Sequence, residues 1–162
     1  MKIESKLNYQ GKDLELVYED VETFDSIPRD LCTQIYGFCF CDEELLLVFE
    51  GDRQAWGPVG GTPEPGETFE ETLKREILEE SNMEVLKWLP IGYQRVTEPT
   101  GQVIYQLRAV CQVRPFGPFV KDPAGDVEAI KLINPADYKQ YFDWGEVGAR
   151  IMERALELKE KL

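Results

Sequence analysis

Residues 60–83 read GGTPEPGETFEETLKREILEESNM, and within them Glu76, Glu79 and Glu80 stand three and four residues apart, with Glu67, Glu70 and Glu71 just upstream. On a helix, like charges at these intervals are destabilising by about 0.2–0.5 kcal/mol per pair. A helix is nevertheless marked at both ends. Thr68 followed by Glu71 is a capping box, whose hydroxyl and carboxylate satisfy amide groups that the first turn leaves unpaired. Asn82, one of the few residues tolerant of the left-handed conformation, closes the last turn. The expected helix runs over about 68–81.

At about 100° per residue, Phe69, Leu73 and Ile77 form one apolar stripe, the face to be packed on a sheet. Glu76 and Glu80 flank that stripe and Glu79 lies alongside them, whereas Glu70, Glu71 and Lys74 point to water. The two sets of glutamates differ in kind. An acidic first turn complements the helix dipole and stays solvated. Carboxylates bordering a core are costlier to hold, and a divalent cation relieves them. The preceding loop agrees with this. Gly60 and Gly61 allow a sharp turn that brings a carbonyl oxygen near, Pro63 and Pro65 stiffen the connection, and Arg75 can reach back two turns to Glu67.

The chain of 162 residues suits a single domain, 1–162, with 43% hydrophobic and 30% charged residues. Its formal charge is −13. Such a surface repels nucleic-acid backbones and anionic membranes, so a phosphate-bearing substrate needs a cation as intermediary. There is no histidine, which excludes Ser-His-Asp and Cys-His catalysis and histidine-ligated zinc. A metal site must rest on carboxylate and carbonyl oxygens, which suit magnesium, manganese or calcium. Cys32, Cys39, Cys41 and Cys111 form no CxxC pair and read as reduced thiols. The N-terminus MKIESKLNYQGKD is too polar for a secretory signal, and no apolar run spans a bilayer. A cytoplasmic protein is expected.

Around the helix, residues 1–20 predict a β-hairpin turning at 8–12. IYGFCFCDEELLLVFEG (35–51) predicts two strands around an acidic turn, and DRQAWGPVGGTPEPGE (52–67) a constrained loop. Residues 84–115 read as a long hairpin closed at 99–101, and DVEAIKLINP as a strand. A short helix begins at Pro135, and an amphipathic helix covers about 144–161 with Val147, Ile151, Ala155 and Leu158 on one stripe. The pattern is α/β, a mixed sheet with helices on its faces.

The stretch resembles the signature box of the Nudix hydrolases: Gly, five residues, Glu, seven residues, then Arg-Glu-apolar-any-Glu-Glu-any-Gly-apolar. Gly61 opens it, Glu67 follows in place, REILEE supplies Arg75, Glu76, Ile77, Glu79 and Glu80, and Met83 fills the last apolar position. Asn82 stands where the family has glycine, and WGPVGG before the box is typical of it. The resemblance implies an α/β/α sandwich and hydrolysis of a diphosphate linkage in a nucleoside diphosphate joined to another moiety X. It implies that Glu76, Glu79 and Glu80, with the Gly60 carbonyl, bind Mg2+ or Mn2+, and that Glu67 and Arg75 orient loop and helix.

For the general base the choice is between Glu76 and a downstream acid: Glu98, Asp122, Asp126 or Glu128. Arg95, Arg108, Tyr36 and Glu98 are candidate substrate contacts, and Tyr36, Phe38 and Trp56 are rings able to stack on a base. Pro99, sixteen residues after Met83, lies near a proline of ADP-ribose-cleaving members, and Thr100 stands near the tyrosine of those acting on dinucleoside polyphosphates. The expected partner is a small nucleoside diphosphate derivative, with no nucleic acid or membrane, bound by a monomer or homodimer. A nucleotide- or nucleotide-sugar-binding regulator without turnover is the alternative on the same fold. An acidic calcium module is the third reading, against which DEELLLVFEGD lacks the alternating oxygens of an EF-hand.

Overall fold

A computed structural model describes residues 1–120 and 125–162 of the chain. The central strands are β3 (Cys32–Cys41) and β4 (Glu44–Glu50), joined through Asp42 at φ 53°. Their side chains alternate between two cores, as the pleat requires. Ile35, Cys39, Leu46 and Val48 point to one side, where Leu73 and Ile77 of helix α1 (Phe69–Ser81) pack on them. Tyr36, Phe38, Phe40, Leu45 and Leu47 point to the other, beneath Ile151, Met152, Ala155 and Leu158 of helix α2 (Gly145–Lys159). Burial on both faces explains why these strands read as nearly continuous apolar runs. Fully burying Leu73 or Ile77 stabilises the α1 face by about 1.5–3 kcal/mol per side chain. The result is an α/β/α sandwich.

The described residues form nine strands of one mixed sheet. Hairpin β1 (Lys2–Tyr9)–β2 (Lys12–Asp20) turns through Gln10 and Gly11, and β2 pairs with β7 (Met83–Thr97). The long β7 pairs antiparallel with β8 (Val103–Pro115), which runs parallel to β3 from Cys32↔Tyr105 to Phe40↔Gln112. The parallel contact was not foreseen from the sequence. Nor were β5 (Ala55–Gly57) and β6 (Val59–Gly61) inside the stretch expected to be loop. Glycine and proline mask such short strands, whose order comes from their neighbours.

Two of these strands shape the site. β4 and β6 share one edge of β3, β4 at Phe40–Cys41 and β6 at Ile35–Gly37. That places Gly60 and Gly61 beside α1. On the outer side β9 (Val127–Ile133) pairs along β4, so Glu50 lies opposite Val127. A 3-10 helix at Pro135–Gln140 leads to α2. Cys32, Cys39, Cys41 and Cys111 are all free thiols. Among the described residues no helix is long and apolar enough to cross a membrane.

Candidate active site

Helix α1 begins at the expected N-cap, Thr68. The Glu71 amide donates to Thr68 Oγ1 at 3.1 Å, and the Thr68 hydroxyl donates to Glu71 Oε1 at 3.1 Å. It ends on Asn82 at φ 53°, ψ 36°, the left-handed conformation that the family's glycine would take. The Asn82 side-chain amide also donates to the Pro118 carbonyl at 2.9 Å.

In the loop before the helix, Glu67 is the hub. Its carboxylate accepts from Arg75 Nε at 2.8 Å and Nη2 at 2.9 Å, from the Glu64 amide at 2.8 Å, and from the Thr72 hydroxyl at 3.1 Å. The Arg75 bonds hold the Glu67 carboxyl down to about 2, against a burial effect acting the other way. A further cation braces the backbone: Arg29 donates to the Glu67 carbonyl at 2.8 Å and to that of Glu64 at 2.9 Å, and stacks over Phe69. Sequence reasoning missed Arg29, which sits 38 residues from Glu67 in a segment with no motif of its own.

Glu67 therefore keeps its charge in the folded state to far lower pH than in the unfolded chain. The resulting stabilisation is complete above the ordinary value of 4.5 and is lost as pH falls toward about 2. Urea unfolding at a series of pH values should show Glu67→Gln losing less stability than the parent over that window. Parallel losses in the two proteins would contradict the ion pair.

The far side of Arg75 faces the other glutamates. Nη1 donates to Glu76 Oε1 at 2.7 Å and lies 3.4 Å from Glu79 Oε2. Among the described residues no three acidic or cysteine side chains are drawn together closely enough to cage an ion. Glycine sets the geometry of the near wall. A Cβ on Gly61 would fall inside the Glu76 carboxyl group, and one on Gly60 would strike the Ile35 carbonyl and Tyr36. The Glu76 carboxylate thus lies directly against the Gly61 backbone. Three carboxylates and a nearby backbone with no nitrogen or sulfur donor suit a hard divalent cation such as magnesium or manganese.

Gly60, Gly61, Glu76, Glu79 and Glu80 line a cavity of about 570 Å3. Tyr36 and Gln34 contribute from β3, and Glu50, Arg53 and Asp126 also line it. The Asp126 carbonyl accepts from the Gly51 amide at 2.8 Å, which ties the segment before β9 to the turn after β4. Of the four downstream acids named from the sequence, Asp126 lines this cavity. Glu98 sits at the β7–β8 turn, 3.9 Å from Lys12, and Glu128 packs at Gly51; neither lines the cavity. Asp122 lies outside the described residues. Arg95 borders a different concavity, with Lys6 and Glu15. Arg108 is only 5% exposed, stacked 4.9 Å from the Tyr36 ring centre and 5.5 Å from that of Trp144, and burial pushes it down to about 10. Phe38 is a core residue. Glu50 and Arg53 were missed, because only the pairing of β4 with β5 and β9 brings their turn to the box.

A family model described as the NUDIX domain matches residues 34–155. No curated protein matches the chain. Among solved structures, a mutant of the Bacillus subtilis pyrophosphohydrolase BsRppH is similar over 97% of both chains, with a TM-score of 0.68 and 20% identity. A NUDIX hydrolase from Nitrosomonas europaea gives 0.63 at 21% identity, over 77% of this chain and 88% of its own. A UDP-X diphosphatase gives 0.56 at 15%, over 78% and 63%. With the box folded as loop and helix and the model spanning three-quarters of its length, the chain belongs to the Nudix hydrolase family.

Proposed function

We propose that the protein hydrolyses the diphosphate linkage of a small nucleoside diphosphate derivative: water adds at one phosphorus, the bridging P–O bond breaks, and a nucleoside monophosphate and a phosphorylated X leave. The observation that carries this is the shared wall: Glu76, Glu79, Glu80, Gly60 and Gly61 all line one cavity. Glu76, Glu79, Glu80 and the Gly60 carbonyl would hold Mg2+ or Mn2+. When bound, such an ion offsets the pyrophosphate's charge, polarises a phosphoryl oxygen and lowers the pKa of the attacking water. The chain's own groups do the rest. Glu67 and Arg75 fix the loop against the helix through a two-bonded ion pair. Glu76, with Asp126 as the other cavity-lining choice, accepts the water's proton.

The names of two structural relatives, a pyrophosphohydrolase and a UDP-X diphosphatase, concern bonds of the same type. The charge of −13 favours a small substrate in the cytoplasm over a nucleic acid. The test is product release from ADP-ribose, nucleotide sugars, nucleoside triphosphates and dinucleoside polyphosphates, with Mg2+, Mn2+ or EDTA. Turnover of at least one class should need the metal and rise toward alkaline pH, as a deprotonating water requires. Tight nucleotide binding with no turnover across the panel would make the protein a binding regulator instead.

A further inference from the structure

The strand order β1-β2-β7-β8-β3-β4-β5 ends on β1, and among the described residues β1 pairs with β2 alone. Its other edge is eight residues long, with no proline and no break in register. An unpaired row of this kind is a template for another strand. The direction of each backbone group follows from the pairing. The Asp20 amide donates to the Met1 carbonyl at 3.0 Å, so Met1 turns toward β2. The two-residue turn at Gln10 and Gly11 agrees, because it closes on Tyr9 and Lys12. Successive residues alternate in an antiparallel strand, and Lys2, Glu4, Lys6 and Asn8 therefore present their amides and carbonyls outward.

These four side chains are exposed, and their charge pattern is its own complement in one antiparallel register. With Ser5 on a two-fold axis, Glu4 stands opposite Lys6 of a second copy, and Lys2 opposite its Asn8. Outward groups then meet outward groups, and each such pair exchanges two hydrogen bonds. Sliding by two residues one way sets Glu4 on Glu4 and Lys2 on Lys6, and sliding the other way sets Lys6 on Lys6. Like charges directly opposite are destabilising. The lysines that blunt this edge against other strands thus select a single register for its own copy. The apolar face agrees. Ile3 belongs to the core beneath α2, while on the same face Leu7 is 46% and Tyr9 58% exposed. In that register Leu7 lies beside Ile3 of the second copy, and Tyr9 beside its exposed Met1.

We propose that β1 is a homodimer interface, on which a second copy of this chain adds its own β1 antiparallel and joins two sheets across a two-fold axis. None of the residues lining the box cavity belongs to β1 or β2, so the interface stands or falls apart from the diphosphate reading. Each chain carries −13, a repulsion that salt must screen. The contact is small, which makes the dimer weak and dependent on concentration.

Sedimentation equilibrium in about 0.15 M salt, from micromolar to sub-millimolar protein, should show the mean mass rising from one chain toward two. Glu4→Lys and Lys6→Glu should each weaken the dimer at least about tenfold, since either sets like charges opposite at two places. The double swap, Glu4→Lys with Lys6→Glu, should bring it back to within about threefold of the parent. In the free chain Glu4 lies 3.3 Å from Lys2, an exposed pair worth little to the fold, so the variants should keep the parent's Tm. Ser5→Cys tests the register without altering charge. Its Cα atoms would lie about 4.5 Å apart across the axis, so diamide should cross-link it and leave Leu7→Cys as monomer. A parent protein monomeric throughout would overturn the interface, as would a dimer indifferent to both single reversals. A folded double swap as weak as the singles, or cross-linking through Leu7→Cys alone, would overturn the register.

Discussion

Glu79→Gln and Glu80→Gln are each expected to lose at least about a hundredfold in kcat/KM, with folding intact. The substitutions keep the size of each side chain and remove its charge, so they test charge alone. If the glutamates merely coat a solvated helix, neutralising them relieves repulsion and changes little else. If they hold a cation against pyrophosphate, the same relief appears in the metal-free protein as an unchanged or slightly raised Tm, while Mn2+ affinity falls by at least about tenfold. Stability held and activity lost is the pattern of a site whose charges serve binding. Glu71→Gln is the control from the same helix. Glutamine satisfies a capping box as glutamate does, and Glu71 faces solvent at the first turn, so rate and Tm should match the parent. Full activity in both Glu79→Gln and Glu80→Gln would remove the carboxylates from the mechanism.

Much of this wall was legible in the sequence because its signals are local. Thr68, Glu71 and Asn82 act within a few residues of themselves: Thr68 caps the Glu71 amide and Asn82 takes the left-handed conformation as expected, while the Glu71 carboxylate accepts from the Thr68 hydroxyl in place of an amide. The Arg75–Glu67 pair follows from helical spacing plus a loop stiffened by proline. The alternating faces of β3 and β4 were legible only as apolar runs. Nothing in a strand's own residues names its neighbour, so the parallel contact with β8, more than sixty residues away, stayed hidden.

On the opposite wall Asp126 was among the downstream acids named from the sequence, whereas Glu50 and Arg53 were hidden for the same reason. Glu50, Arg53 and Asp126 come together because β4 pairs with both β5 and β9, and Gly51 bonds Asp126 across that junction. Arg95 and Glu98 show the converse: a charge chosen by its type alone can lie elsewhere, Arg95 on a strand that borders another hollow and Glu98 at a turn beside Lys12. Arg29 carried no sequence signal at all, since its work is to bond two carbonyls of a loop it meets only in the fold.

The paired glycines give a sharper test of the geometry than any carboxylate. Neither Gly60 nor Gly61 has a positive φ, so alanine fits the backbone at both and only the added methyl matters. At Gly60 the methyl meets the Ile35 carbonyl and the Tyr36 backbone, which cannot move without breaking the β3–β6 pairing. Gly60→Ala should therefore cost about 1–3 kcal/mol of stability, lowering Tm by several degrees in a chain of this size. At Gly61 the three atoms nearest the methyl all belong to the Glu76 carboxyl group, the far end of a flexible side chain. Glu76 can swing aside, giving up its bond from Arg75 Nη1 at a cost of about 1 kcal/mol. The fold should then survive Gly61→Ala while the carboxylate sits an ångström or more from its place, a displacement worth about a hundredfold in rate. Two adjacent glycines are thus expected to fail in opposite ways, one in thermal unfolding and the other in kcat/KM. A folded Gly61→Ala protein with the parent's activity would mean that the seat of Glu76 against the backbone has no part in the chemistry.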